Sequence, residues 1–282
     1  LSDLRLDLAE LLFFEGKPTE AEARFREMLA LEDKPGQNTE RLGVLLNDLG
    51  ASLRAQGRFK DAIAAQRRAL AVRTAVHGAQ SLPVAETRNN LASALFQDGS
   101  TDEAIAEFEG SLAVRKSRLR ADHPLVIRLQ SNLGLAYLRA GRADDAAAIL
   151  ARTAEAWDAA FGPEHPGRIP AITSLSLALR KQGKRTDAIQ WLSRALQWQK
   201  AHPSQTATQV AATEANIAMT QAELGQDAEA ETTLGGVLPL LRADGGAISA
   251  VARNATESLA TIYERQGRSS EAASLKATIG PK

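Results

Sequence analysis

Cysteine is absent from the chain. That excludes disulfides, thiolate nucleophiles and cysteine-ligated metals, and it leaves the redox compartment open. Aromatic residues are only 4% of the sequence although hydrophobic residues are 44%. The apolar content is therefore mostly alanine and leucine, which lose little or no side-chain entropy on becoming helical. No uninterrupted apolar run of about 20 residues occurs, so no stretch of this sequence is expected to insert directly into a membrane. A basic excess is missing too, because 34 Lys and Arg balance 34 Asp and Glu. Polyanion binders carry such an excess, so nucleic acid is not an expected partner.

The motifs of common chemistries are also missing. There is no GxxxxGK[ST], no GxGxxG and no HExxH. His77, His123, His165 and His202 lie far apart in sequence and mostly next to prolines. Metal ligands must converge within about 2 Å of one ion, so His-Pro reads as a capping and turn pair. Asp102-Glu103 and Asp144-Asp145 read as first-turn acids, not acid/base dyads. The large rings of Trp157, Trp191 and Trp198 read as packing between structural units. No catalytic residue, metal site or cofactor is expected, and the chain is not expected to be an enzyme.

What the sequence does contain is a ruler. Gly16, Gly57, Gly99, Gly141, Gly183, Gly225 and Gly267 are spaced by 41 residues once and by 42 five times. Five residues after each stands Ala21, Ala62, Ala104, Ala146, Ala188, Ala230 or Ala272, always preceded by an acid. Eight residues before each stands Leu8, Leu49, Leu91, Leu133, Leu175, Ile217 or Leu259, always followed by a small residue. Glycine takes positive φ without Cβ strain and ends a helix. The acid meets the positive end of the next helix's dipole. The small residues let two helices approach closely. Each unit is thus an antiparallel helix pair, such as 83–98 with 101–119. One pair cannot bury its apolar faces alone, so the pairs stack. Pro83, Pro124, Pro166 and Pro203 punctuate the joints at or just before the starts of first helices.

The stretch "NNLASALFQDGSTDEA" (89–104), with its leucine, small residue, turn glycine and alanine, resembles the tetratricopeptide repeat. The longer period and the joints "ADHPLV" (121–126) and "FGPEHPG" (161–167) resemble its kinesin-light-chain subtype. The resemblance implies an all-α fold, a right-handed α-solenoid of seven antiparallel helix pairs. It spans the chain as a single array, 1–282, with repeats near 1–36, 37–79, 80–121, 122–163, 164–203, 204–244 and 245–282. Similar bacterial arrays are attached to serine/threonine kinases or transcriptional regulators, and a piece of a longer protein is expected. The pattern weakens near the C-terminal end, where Gln221 replaces a large apolar residue and "TTLGGVLPLLRADGG" (232–246) predicts looser packing and a bend near Pro239.

In such repeats the residue just before the leucine faces the groove. Here that ladder reads Asp7, Asp48, Asn90, Asn132, Ser174, Asn216 and Ser258. An asparagine amide both donates and accepts, so it holds a peptide backbone without reading its side chains. By the same register the groove candidates are Asn47, Asn89, Asn90, Arg128, Asn132, Arg139, Arg180, Lys181, Asn216 and Asn254. The four cations suit an acidic segment or a C-terminal carboxylate; the plainer alternative is that they pair with acids of the next helix.

The expected function is a non-catalytic protein- or peptide-binding scaffold or sensor module of a larger signalling or regulatory protein. The alternatives are a self-association module and an extracytoplasmic ligand-sensing domain of a membrane-anchored serine/threonine kinase. A cytoplasmic location is expected, or an extracytoplasmic one if a membrane segment precedes residue 1. "LSDLRLDLAELLFF" carries Leu1, Leu4, Leu6, Leu8, Leu11, Leu12, Phe13 and Phe14 on more than one helical face. Such a helix needs cover on several sides, from an upstream segment or from a second copy in a homo-oligomer.

Overall fold

The seam glycines do what the spacing predicts. In the computed structural model, which describes residues 2–34, 36–162, 165–202, 205–242 and 249–279, all seven have φ between 76° and 95°. At Gly57 the glycine N–H donates to Arg54 O at 3.0 Å and the next N–H, of Arg58, donates to Leu53 O at 3.0 Å. This bond pair closes the last helical turn and reverses the chain. The same two bonds recur at the other six seams. The described residues form fourteen α-helices in two compact units, Leu1–Arg142 and Ala143–Lys282. The fold is an all-α solenoid of helix pairs.

The first unit holds α1 (Ser2–Phe14), α2 (Pro18–Glu32), α3 (Glu40–Ala55), α4 (Phe59–His77), α5 (Leu82–Asp98), α6 (Thr101–Arg118) and α7 (Pro124–Arg139). The second holds α8 (Ala143–Phe161), α9 (Arg168–Lys181), α10 (Arg185–Ala201), α11 (Ala207–Glu223), α12 (Asp227–Arg242), α13 (Ala250–Arg265) and α14 (Ser269–Ala277). Odd-numbered helices are the first helices of the pairs. Pro83 and Pro124 lie in the opening turns of α5 and α7, and Pro166 stands two residues before the start of α9. Leu1 and Pro203 lie outside the described residues, as does the 243–246 end of the glycine-rich stretch. Helix α12 continues through Pro239 to Arg242.

Close approach within a pair depends on small residues. A Cβ on Gly50 would sit 2.5 Å from Gln66 Nε2, so glycine alone lets the Gln66 amide of α4 reach the Asn47 carbonyl of α3, at 2.8 Å. Ser111 of α6 makes an analogous bond to Ala85 O of α5, at 2.6 Å.

A second device ties a pair to the next at four of the joints. Buried Arg73, near the end of α4, donates to Pro83 O at 3.0 Å, Glu86 Oε2 at 2.9 Å and Thr87 Oγ1 at 3.0 Å at the start of α5. One repeat later Arg115 donates to Leu125 O at 2.8 Å. In the second unit the same register holds Trp157, whose ring leaves no room for a side chain on Gly167, and Gln199, which donates to Gln209 O at 3.4 Å. At these four joints the position carries a long side chain that reaches ten residues ahead.

The joint histidines have the capping geometry expected of them at two positions. His123 Nδ1 accepts from Leu125 N at 3.2 Å, and His165 Nδ1 accepts from Gly167 N at 3.0 Å. His165 stacks on Trp157 and His202 on buried Trp198. Trp191 packs on the cluster around Ile172 and Leu192.

Candidate binding grooves

In the first unit the first helices line a cleft of about 830 Å³. Its wall is built by register. Asp48, Asn90 and Asn132, one residue before the repeat leucine on α3, α5 and α7, all open onto it, as do Asn47, Asn89 and Arg128. Asn132 is half-buried and its amide makes no side-chain hydrogen bond among the described residues. Asn90 Nδ2 donates to Asn47 Oδ1 at 3.0 Å, and Asn89 Nδ2 donates to Asn90 Oδ1 at 3.4 Å.

Asn47 has a different standing from its neighbours. It is only 3% exposed and spends its amide internally. It donates to Asp48 Oδ1 at 3.0 Å and accepts from Asn90 and from Thr87, which Arg73 in turn holds. Asn47 therefore positions the ladder more than it presents a free edge to the cleft.

The cations divide as well. Arg139 lies over the Phe96 ring, 3.7 Å from its centroid, and donates to Phe96 O. Arg180 of the second unit pairs with Glu223. Burial pushes Glu223 up, but its bonds from Arg180 and Arg185 outweigh that and hold it below the usual carboxylate range. Arg180 thus follows the plainer alternative, pairing with an acid of the next first helix, whereas Arg139 is held by a ring and a carbonyl of the preceding first helix. Arg128 and Lys181 are exposed and have no ion pair among the described residues.

Sequence reasoning missed a further set. Three residues before the seam glycines stand Phe13, Arg54 and Phe96, and all three line the cleft with Phe14 and Gln97. Arg54 is half-buried, it donates to Gln97 at 3.4 Å, and no carboxylate pairs with it among the described residues. Burial pushes its guanidinium below the usual arginine range. On the same helix Asp48, which also lines the cleft, has its pKa raised to about 6, by burial first and then by the charges of Glu10 and Glu86, against a donor bond from Asn47 and the charge of Arg73. The cleft therefore holds under-compensated groups of both signs beside phenylalanine walls. The ladder itself was legible by counting nine residues back from each glycine; counting three back finds this second set.

The second unit has its own groove, of about 520 Å³. Asn216, Asn254 and Arg180 line it with Ser174, Ser258 and the exposed Leu177. Asn216 donates to Ala212 O at 2.9 Å, whereas the exposed Asn254 amide makes no side-chain bond among the described residues. No group of three or more His, Asp or Glu side chains is placed to hold a metal among the described residues. Among the described residues no helix is long and apolar enough to cross a membrane.

Comparisons with known proteins agree with this architecture. A family model described as tetratricopeptide repeat matches residues 2–75, 41–117, 83–159 and 125–201 in overlapping frames. No curated protein sequence matches the chain. Among solved structures, the nearly identical TPR-like repeats of a kinesin light chain from Podosopora anserina are 22% identical, cover 72% of this chain and 97% of that one, and superpose with a TM-score of 0.64. The apo form of RapI gives a TM-score of 0.74 at 12% identity, over 99% of this chain and 96% of that one. A Rap protein complexed with Competence and Sporulation Factor gives 0.67 at 14% identity, over 99% and 75%. Repeat period, seam geometry and family match coincide: the chain belongs to the tetratricopeptide repeat family.

Proposed function

We propose that this tetratricopeptide array is a non-catalytic protein-interaction module that holds an extended segment of a partner protein in its first-helix grooves, within a larger signalling or regulatory protein. One observation carries the reading: the half-buried amides of Asn89, Asn90 and Asn132 converge on a cleft of about 830 Å³, and Asn132 has neither donor nor acceptor engaged by a side-chain hydrogen bond among the described residues. An amide in that setting suits the backbone of a bound strand.

The partner's charge follows from what is left unpaired. Arg139 and Arg180 are occupied, so the acidic-segment reading now rests on Arg128 and the half-buried Arg54 in the first unit and on Lys181 in the second. A carboxylate on the partner would repay the desolvation of Arg54. Asp48 and Glu10 favour a donor group beside it. A segment bearing both suits the cleft better than a uniformly acidic one. The complex of a Rap protein with Competence and Sporulation Factor supports a capture role by likeness of fold.

Panning random twelve-residue displayed peptides on the full chain tests this. Enriched peptides are expected to lose about tenfold or more in affinity on the Asn90→Ala, Asn132→Ala, Arg128→Glu triple variant, with its helical circular dichroism unchanged. Failure to enrich any sequence, or equal binding by the folded variant, overturns the groove reading.

Self-association through α1 is the second reading, favoured by the exposed Leu4, Leu8 and Leu11.

A further inference from the structure

Asp48 is a half-buried carboxylate that the fold leaves without a cation. At other such acids the chain supplies one. Arg58 pairs with Glu22 at 2.9 Å, Arg185 with Glu223 at 3.0 Å and Arg268 with Glu231 at 2.6 Å. Asp48 has instead a single neutral donor, the Asn47 amide at 3.0 Å, and burial pushes its carboxyl up to about 6. Glu10 of α1, which acts on Asp48 through its charge, has no side-chain hydrogen bond or ion pair among the described residues.

Three successive first helices each bring one acid to the cleft: Glu10 of α1, Asp48 of α3 and Glu86 of α5. Arg73 of α4 is the cation nearest to them, and its Nη1 is spent on Glu86, Pro83 O and Thr87. That pairing neutralises Glu86 and leaves Glu10 and Asp48 uncompensated. Arg54 stands six residues further along α3, about 9 Å at 1.5 Å per residue, and Arg128 enters the cleft from α7. Beside the two free acids runs an apolar wall. Phe13 and Phe14 follow Glu10 at helical spacing and line the same cleft. An acid pair next to phenylalanine rings matches a long side chain with an apolar stem and a charged head. A metal ion does not fit, because no three acids among the described residues are placed to hold one.

We infer, building on the groove reading, that the segment held in the first-unit cleft carries one lysine or arginine whose cationic head sits against Asp48 and Glu10 and whose stem lies on Phe13 and Phe14. Such a head offsets the desolvation that the fold leaves uncompensated at Asp48. The amides of Asn90 and Asn132 hold the segment's backbone beside it and do not select its side chains. Asp48 is then the residue that makes this cleft selective: its carboxylate stands where α5 and α7 carry Asn90 and Asn132.

The full chain can be screened against two N-acetylated, twelve-residue bead libraries that differ only in whether lysine and arginine are included. Binders are expected from the library that includes them, with a basic residue recurring in each. Exchanging that residue for a neutral isostere, norleucine for lysine or citrulline for arginine, is expected to weaken binding about tenfold or more, as for a close charge pair in an interface. On Asp48→Asn, which keeps an acceptor for the Asn47 amide, the same exchange is expected to change affinity less than about twofold, so the cycle isolates the contact from any general effect of the substitution. Equal recovery of binders from both libraries overturns the inference and leaves the groove reading standing. So does a loss on neutral exchange that is as large on the folded Asp48→Asn chain as on the parent. Recovery of no binder from either library overturns both.

Discussion

At the scale of single residues the informative positions are charges and amides that the fold leaves under-satisfied. Asp48 is the sharpest case. Its pKa lies at about 6, against an ordinary value of 3.8, because burial and Glu10 disfavour its charge. The folded state then keeps the proton longer than the unfolded chain, so stability falls as pH rises between those values and stays lower above about 6. The cost is at most about 3 kcal/mol at roughly 1.4 kcal/mol per decade, and less after screening by solvent. Asp48→Asn keeps an acceptor for the Asn47 amide and removes the charge. It is expected to raise the melting temperature at pH 7.5 by several degrees, with the difference from the parent closing as pH falls from about 6 to 4. A difference that is constant over that range would show that burial of charge is not its cause. The ladder containing Asp48, Asn90 and Asn132 was legible in the sequence because register alone places a residue on a helix face. The commitments of Asn47, Arg139 and Arg180 were not. Their partners stand about one repeat away, at Asn90, Phe96 and Glu223, and side-chain reach across that gap is a property of packing.

At the scale of elements, helix ends and the joints between them decide the architecture. The seams were fully legible, since a left-handed glycine, a first-turn acid and a close-packed alanine each have a chemical reason to recur at fixed spacing. The joint from a second helix to the next first helix was only half legible: prolines and histidines marked where it lies, and the brace across it went unseen. That brace is Arg73 at one joint, Arg115 at the next, then Trp157 and Gln199, so no single residue type repeats for the eye to find. Arg73 is buried and donates to a carbonyl, a carboxylate and a hydroxyl of α5. Its stem passes 2.8 Å from where a Cβ on Gly43 would sit. Arg73→Ala is expected to cost about 2–3 kcal/mol in urea unfolding, because charged hydrogen bonds are lost and buried acceptors are orphaned. Arg73→Lys should recover less than half of that loss, since an ammonium lacks the planar fork that holds several partners at once. Full rescue by lysine would reduce the brace to a simple charge effect.

At the scale of the whole molecule, contacts run between neighbouring helices, so stability is close to a sum of local terms and need not be uniform. The composition of the core changes along the chain. From α3 to α7 it is built on large side chains, including Leu45, Leu46, Leu53, Leu91, Leu95, Phe108, Ile127, Leu129 and Leu133. From α11 to α13 the cluster leans on Ala211, Ala215, Ala218, Ala222, Ala230, Ala252 and Ala255, with Met219, Leu234 and a few others supplying the bulk. Each leucine exchanged for alanine forgoes three carbons of buried apolar surface, at about 0.8 kcal/mol per methylene. Gly235 and Gly236 weaken α12 further, since each glycine costs about 1 kcal/mol against alanine in a helix interior and nothing packs where their Cβ atoms would be. Pro239 removes one more backbone donor inside the same helix. Local opening should therefore begin in α11 and α12 while α3 to α6 stay closed. Hydrogen exchange read by mass spectrometry is expected to show peptides from 207–242 exchanging at least tenfold faster than peptides from 40–118, and reaching full exchange at a lower urea concentration. Equal protection across both segments would mean that the alanine-rich repeats are as stable as the leucine-rich ones, and that core volume does not govern the order of opening.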